Sequence, residues 1–318
     1  MIKARGLARR FASRQGVVDA VRGVDLDVAP GELVGFLGPN GAGKTTTLRM
    51  LATLLRPTEG EAVVAGHNLR TDPVGVRRRI GYVAQTGGTD AGHTVEEELV
   101  TQGRLYRMTK ADCRSMAADL SARLDLDGIV GRQVHTLSGG QRRRLDIAMG
   151  LIHSPRLVFL DEPTAALDPQ SRANLWEHIR CLRAEHGLTV FLTTHYLDEA
   201  DALCDRVLVI DEGRIVAQGS PEELKRSVSG DTVTMTVLDR ARVPEASRIA
   251  ERTCGGIQLR VQDTTVVFRV GRSDAALPVL LGALHDAGVQ LAAVAVQRPT
   301  LDDVFLTLTG HSLRDEEN

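Results

Sequence analysis

Gly38-Pro39-Asn40-Gly41-Ala42-Gly43-Lys44-Thr45-Thr46 is the stretch that decides the fold. It meets the pattern Gly, four residues, Gly-Lys-Thr at Gly38, Gly43, Lys44 and Thr45. Glycines let the backbone turn tightly, so that successive N–H groups face one anion. In that geometry Lys44 reaches the β- and γ-phosphates of a nucleotide, and the Thr45 hydroxyl reaches Mg²⁺. The flanks agree. Leu33-Val34-Gly35-Phe36-Leu37 is a short apolar run suited to a buried strand, and Leu48, Leu51 and Leu55 recur at helical spacing between Lys44 and Leu55. The loop therefore lies between a strand and a helix N-terminus, whose dipole also favours phosphate. An ordinary Gly-rich turn is the bland alternative, and the strand before and helix after speak against it.

Further along, Leu157-Val158-Phe159-Leu160 reads as a central parallel strand, with Asp161 and Glu162 at its carboxyl end. Open α/β sheets bind ligands at that end. Asp161 is placed to hold Mg²⁺ directly or through water, and Glu162 to polarise an attacking water. Leu188 to Thr194 is another buried strand, ending at His195, a candidate γ-phosphate contact. Ile80 to Gln85 is a short apolar strand ending in a polar amide. Leu137-Ser138-Gly139-Gly140-Gln141 opens a helix whose free N–H groups form a second anion site. The following Arg142-Arg143-Arg144 reads as the solvated face of that helix rather than a nucleic-acid patch.

Around these landmarks, Val24, Leu26 and Val28 alternate with Asp25 and Asp27, the period of a half-exposed strand. Phe11 is either core packing or an aromatic platform for a nucleobase. Glu61 to Gly66 is a strand. Thr94 and Glu97 form a capping box at the start of a mainly helical insert, which continues through the amphipathic segment Ala111–Leu124. Pro163 to Pro169 leads into a helix containing Trp176 and Ile179. Val207–Ile210 and Ile215–Ala217 form a hairpin, and Ser220 with Glu223 caps a short closing helix. After Ser227-Val228-Ser229-Gly230 the pattern is β-α-β-β-α-β, the order of a ferredoxin-like module, followed by a short helix boxed by Thr300 and Asp303. The expected fold is an α/β P-loop core over 1–226, with a helical subdomain at about 94–150, plus a small α+β domain over 227–318. The last residues, Arg314 to Asn318, read as a polar end.

Composition narrows the function. The formal net charge of −2 gives no basic field for nucleic acid, and 3% aromatic residues leave little to stack on single strands. The four cysteines have no C-x-x-C pair and read as buried free thiols in a reducing cytoplasm. The N-terminus shows no signal-peptide core, and no apolar run approaches the ~18 residues of a membrane span. A membrane pore, if one is served, belongs to another chain.

Taken together, these motifs resemble the ATP-binding subunits of ABC transporters. The resemblance covers residues 1 to about 225. It assigns Gly38–Thr46 as Walker A, Gln85 as the Q-loop glutamine and Leu137–Gln141 as the signature. Asp161 and Glu162 match Walker B, Asp168 the D-loop, His195 the switch histidine and Phe11 the adenine-stacking aromatic. Arg142-Arg143-Arg144-Leu145-Asp146 and the tail Pro299-Thr300-Leu301-Asp302-Asp303-Val304-Phe305-Leu306 are similar to the daunorubicin-resistance type of drug exporter subunit. The resemblance implies ATP and Mg²⁺ as ligands. Catalysis falls to Glu162, His195, Gln85 and Lys44. Phe11, Gly38, Pro39, Asn40, Gly41, Ala42, Gly43, Lys44, Thr45 and Thr46 contact ATP, and Thr45, Gln85 and Asp161 hold the metal. Ser138, Gly139, Gly140, Gln141 and Asp168 act in trans, from the second copy of a homodimer that forms on ATP binding. The implied location is the cytoplasmic face of the membrane, docked on a permease subunit. The implied function is ATP-driven efflux of a drug or other hydrophobic compound. The alternatives are an importer ATPase, which shares every ATP motif, and a soluble ATPase acting on the ribosome or nucleic acid. Against the latter, the segment between Lys44 and Asp161 has no heptad run, and the chain holds one motif set.

Overall fold

The computed structural model describes residues 1–13, 16–228, 230–254 and 257–310. They fall into two compact units, one from Met1 to Pro221 and one beginning at Glu222. The chain opens with two long antiparallel strands, β1 (Ile2–Ser13) and β2 (Gly16–Val28). Val24, Leu26 and Val28 of β2 are buried while Asp25 and Asp27 face water, as the alternation predicts. Strand β3 (Leu33–Leu37) is buried at every position and delivers the phosphate loop to α1 (Lys44–Leu51). That helix stops before Leu55, because Thr53 turns into the left-handed region at φ 62°. Leu55 still packs on the core. Strands β4 (Glu59–Val64) and β5 (His67–Asn68) join β1 and β2 in a sheet ordered β2-β1-β4-β5.

Helix α2 (Pro73–Arg79) leads into β6 (Ile80–Val83), which ends two residues before Gln85. The helical insert follows as α3 (Val95–Leu105), α4 (Lys110–Arg123) and α5 (Gly139–Leu151). The capping boxes of Thr94 with Glu97 and Ser138 with Gln141 start two of these helices by satisfying orphan N–H groups. Then come β7 (Leu157–Asp161), α6 (Pro169–His186), β8 (Thr189–Thr194), α7 (Leu197–Leu203) and the hairpin β9 (Arg206–Asp211) and β10 (Arg214–Gly219). The main sheet runs β10-β9-β3-β8-β7-β6 and is parallel except at β10. Strands β3, β7 and β8 are buried along their whole length, which explains their unbroken apolar sequence. Their adjacency brings the phosphate loop, Asp161-Glu162 and Thr194-His195 to one edge.

In the second unit, α8 (Pro221–Ser227) precedes β11 (Asp231–Val237), α9 (Val243–Cys254), β12 (Ile257–Gln262), β13 (Thr265–Val270), α10 (Ser273–Asp286), β14 (Leu291–Gln297) and α11 (Leu301–Thr309). The antiparallel order β12-β13-β11-β14 is the ferredoxin-like arrangement expected from the strand and helix sequence. Val233, Met235, Phe268 and Leu280 form its core. Thr300 and Asp303 make the expected box at α11.

Two expectations need correction. Cys113 and Cys204 are buried, but Cys181 is exposed. Helix α6 turns Leu175, Ile179 and Leu182 inward, which leaves Cys181 on the outer face. The Arg142–Arg144 run is not a solvated face, because Arg143 is buried. The side chain of Cys254 and the polar end over 311–318 lie outside the described residues.

Candidate ATP site

The loop depends on glycine at defined positions. Gly43, the N-cap of α1, sits at φ 102°, and a methyl there would lie 2.5 Å from the Ala20 carbonyl oxygen. Gly41 also has positive φ. A methyl on Gly38 would collide with the Ile210 carbonyl of β9. Neighbouring segments hold the loop: Gly38 N–H donates to Thr194 O, and Gly213 N–H donates to Ala42 O. The Lys44 ammonium is buried, donates to Gly38 O at 2.7 Å and Pro39 O at 2.9 Å, and lies 3.6 Å from a Glu162 carboxylate oxygen.

Asp161 and Glu162 are positioned differently. Asp161 is fully buried, and its Oδ1 accepts from Thr45 Oγ1 at 2.9 Å and Thr193 Oγ1 at 2.7 Å. Its Oδ2 is buried with no hydrogen-bond partner. An orphaned buried carboxylate oxygen beside a threonine hydroxyl is a hard, oxygen-only donor set, which fits Mg²⁺. Glu162 takes a left-handed backbone at φ 45°, unusual for a non-glycine residue and fixed by its N–H donating to Thr193. This turn swings its carboxylate between Gln85, whose Nε2 donates at 2.9 Å, and His195, whose Nδ1 lies 3.4 Å away. Burial works against ionising Glu162, yet His195 and the Lys44 ammonium outweigh it and hold the carboxyl below its ordinary range. It is therefore ionised at neutral pH.

The other candidates are placed as follows. Phe11 on β1 is more than a third exposed, with the Arg9 guanidinium 4.6 Å from its ring, so it is not a core residue. Ser138 caps α5. Gly139 has open space around its α-carbon, and Gly140 packs beside Ser171. Asp168 caps α6 and accepts from Ser171 N–H and Oγ, so the signature and the D-loop are neighbours within the chain.

Sequence reasoning missed several residues. Thr193 orders both Asp161 and Glu162; a hydroxyl near the end of a buried strand was the available signal. Glu199 is fully buried, accepts from Thr164 Oγ1 and Trp176 Nε1, and is pushed upward in pKa by burial. Arg143 donates from Nη1 to Ala84 O at 2.6 Å, from Nε to Pro163 O at 2.8 Å and from Nη2 to Asp161 O at 3.0 Å.

Asp146, one turn beyond Arg143, supplies a test. Burial raises its pKa from 3.8 to about 6, with Arg143 and Arg142 opposing. In the unfolded chain this carboxyl ionises near 3.8, while in the fold it holds its proton until about 6. Its contribution to stability is thus fully present below pH 3.8 and is lost as pH rises through 6. Asp146→Asn removes that dependence. Relative to wild type, the variant should gain about 2–3 kcal/mol between pH 4 and pH 7, read by urea denaturation at each pH. A constant difference across this window would contradict the assignment.

Comparison with known proteins gives the arrangement its context. Residues 21–165 match the family model "ABC transporter", and residues 219–309 match "ATP-binding protein DrrA1-3-like, C-terminal domain". The chain is 40% identical to the daunorubicin resistance ATP-binding protein DrrA2 of Streptomyces coeruleorubidus, across 99% of this chain and 97% of that one. It is 30% identical to the linearmycin resistance ATP-binding protein LnrL of Bacillus subtilis, across 99% and 100%. Among solved structures, a dimeric ATP-binding cassette in a post-hydrolysis state with ADP and Pi superposes with a TM-score of 0.64 at 27% identity, covering 69% of this chain and 98% of that one. Such subunits bind ATP, dimerise and work with membrane permease subunits. Among the described residues no helix is long and apolar enough to cross a membrane. The chain belongs to the ABC transporter family, as an ATP-hydrolysing subunit of the drug-resistance exporter type.

Proposed function

We propose that this chain powers efflux of a drug, antibiotic or other hydrophobic compound through a separate permease, from the cytoplasmic face of the membrane. The convergence of Lys44, Gln85, Glu162 and His195 at the phosphate loop supports the ATP-hydrolysing part of this reading. The observation that carries the efflux part is the match of the C-terminal domain and of nearly the whole chain to drug-resistance ATP-binding proteins. Lys44 and the loop amides hold the phosphates. Glu162 accepts a proton from the attacking water, and His195 orients the carboxylate and contacts the γ-phosphate. Phe11 supports the adenine ring. Thr45, Asp161 and Gln85 would hold Mg²⁺, which when bound neutralises charge on the β- and γ-phosphates. Two copies pair head to tail about a two-fold axis. Ser138, Gly139, Gly140, Gln141 and Asp168 of one copy then face the nucleotide held by the other. Hydrolysis removes the γ-phosphate contacts and releases the pair. The importer and soluble-ATPase alternatives are not favoured, because the C-terminal domain is DrrA-like and the relatives that match nearly the whole chain are drug-resistance ATP-binding proteins.

The test is affinity purification of the tagged chain from native membranes in mild detergent. Recovery of a multi-span membrane protein with ATP hydrolysis retained is expected. Recovery of ribosomes or nucleic acid, or of this chain from the soluble fraction alone, would remove the transport reading.

A further inference from the structure

Arg143 lies one turn inside α5, the helix that begins at the signature glycines. Its buried guanidinium reaches four carbonyls on two other segments. Nη1 donates to Ala84, the residue before Gln85, at 2.6 Å. Nη2 donates to Asp161 at 3.0 Å and Glu162 at 3.3 Å, and Nε to Pro163 at 2.8 Å. Three consecutive carbonyls converge on one side chain because the backbone reverses at Glu162, whose φ is 45°. One turn later Asp146 rests on the segment that follows Gln85, since a methyl on Gly87 would lie 2.7 Å from its Oδ1. Helix α5 is thereby bonded both to the strand end that presents Glu162 and to the segment that presents Gln85. A planar fork with five N–H donors can span such a set, whereas a glutamine or a lysine cannot.

We propose that Arg143 is a positioning residue that couples the two ATP sites of the dimer. The inference rests on the head-to-tail pairing above. In that pairing the signature of one copy touches the nucleotide of the other, while Glu162 and Gln85 serve the copy's own nucleotide. A shift of α5 on contact with the partner's nucleotide would move the Glu162 and Gln85 backbones through this one side chain. A role confined to satisfying carbonyls predicts loss of stability only.

The full chain is assayed for ATP hydrolysis against ATP concentration with excess Mg²⁺, alongside calorimetric ATP binding and thermal melting. Wild type is expected to give a Hill coefficient above 1. Arg143→Gln should keep ATP affinity within about two-fold, lower kcat roughly 10- to 100-fold and bring the Hill coefficient to 1. Arg143→Lys keeps the charge but not the fork and should fall in the same direction. It decides the matter if the glutamine variant does not fold. A lysine variant with wild-type kcat and cooperativity, a melting change without a kcat change, or a non-cooperative wild type overturns the coupling role. Glu162→Gln serves as the control: if it hydrolyses ATP normally, the site reading has failed, whereas an inactive control beside a normal Arg143 variant counts against the coupling alone.

Discussion

Glu162→Gln should bind ATP about as tightly as wild type and lose roughly 10²- to 10⁴-fold in kcat, the range for removing a general base. The amide has the size of the carboxylate and can still meet Gln85 and His195, so the local geometry survives. What is lost is the proton acceptor, held ionised by His195 and the Lys44 ammonium. Removing a negative charge from beside the γ-phosphate also favours the bound state. The variant should therefore accumulate as an ATP-loaded dimer, visible by size exclusion with Mg·ATP present. Near wild-type single-turnover hydrolysis would sink the role of Glu162.

The second large effect is expected at Gly38. It directly follows β3, and a methyl there meets the Ile210 carbonyl and lies 2.9 Å from Ile210 Cγ2. Neither can step aside cheaply, because β9 is in register with β3 at Leu37 and Val209. Gly38→Ala must push β9 away or displace the loop, at about 1–3 kcal/mol of stability. Its carbonyl accepts from Lys44 and its N–H donates to Thr194, so displacement carries the ammonium and β8 with it. ATP affinity should fall more than ten-fold. Gly41→Ala is the comparison: it has open space and pays only for positive φ, about 1–2 kcal/mol. Calorimetric titration that ranks Gly41→Ala as the more damaging to ATP binding would refute the argument.

The fold was legible where each signal is local. Buried parallel strands announced themselves as apolar runs, the capping boxes of Thr94 and Thr300 as a threonine three residues before Glu or Asp, and the phosphate loop as its glycine spacing. The C-terminal order could be read because each strand and helix alternates cleanly. Burial of individual polar residues was not legible. Arg143 sits in a run of three arginines, and only the tertiary turn at Glu162 creates carbonyls for it to bind. Thr193 looked like ordinary strand material, yet it orders both acids of the site. Helix ends were also less readable: α1 stops at Leu51 because the backbone at Thr53 leaves the helical region, although the leucine period continues.

Trp176 is the chain's one tryptophan, and its indole N–H donates to buried Glu199 at 3.2 Å. The same carboxylate oxygen is held by Thr164, two residues after Glu162. The protein thus contains a single tryptophan wired to the back of its ATP site, and excitation at the red edge, where its three tyrosines do not absorb, isolates that indole. Any movement of the 163–166 turn or of the end of β8 changes the field on the indole and hence its emission. Site rearrangements can be followed in real time without labels, and Trp176→Phe provides the dark background.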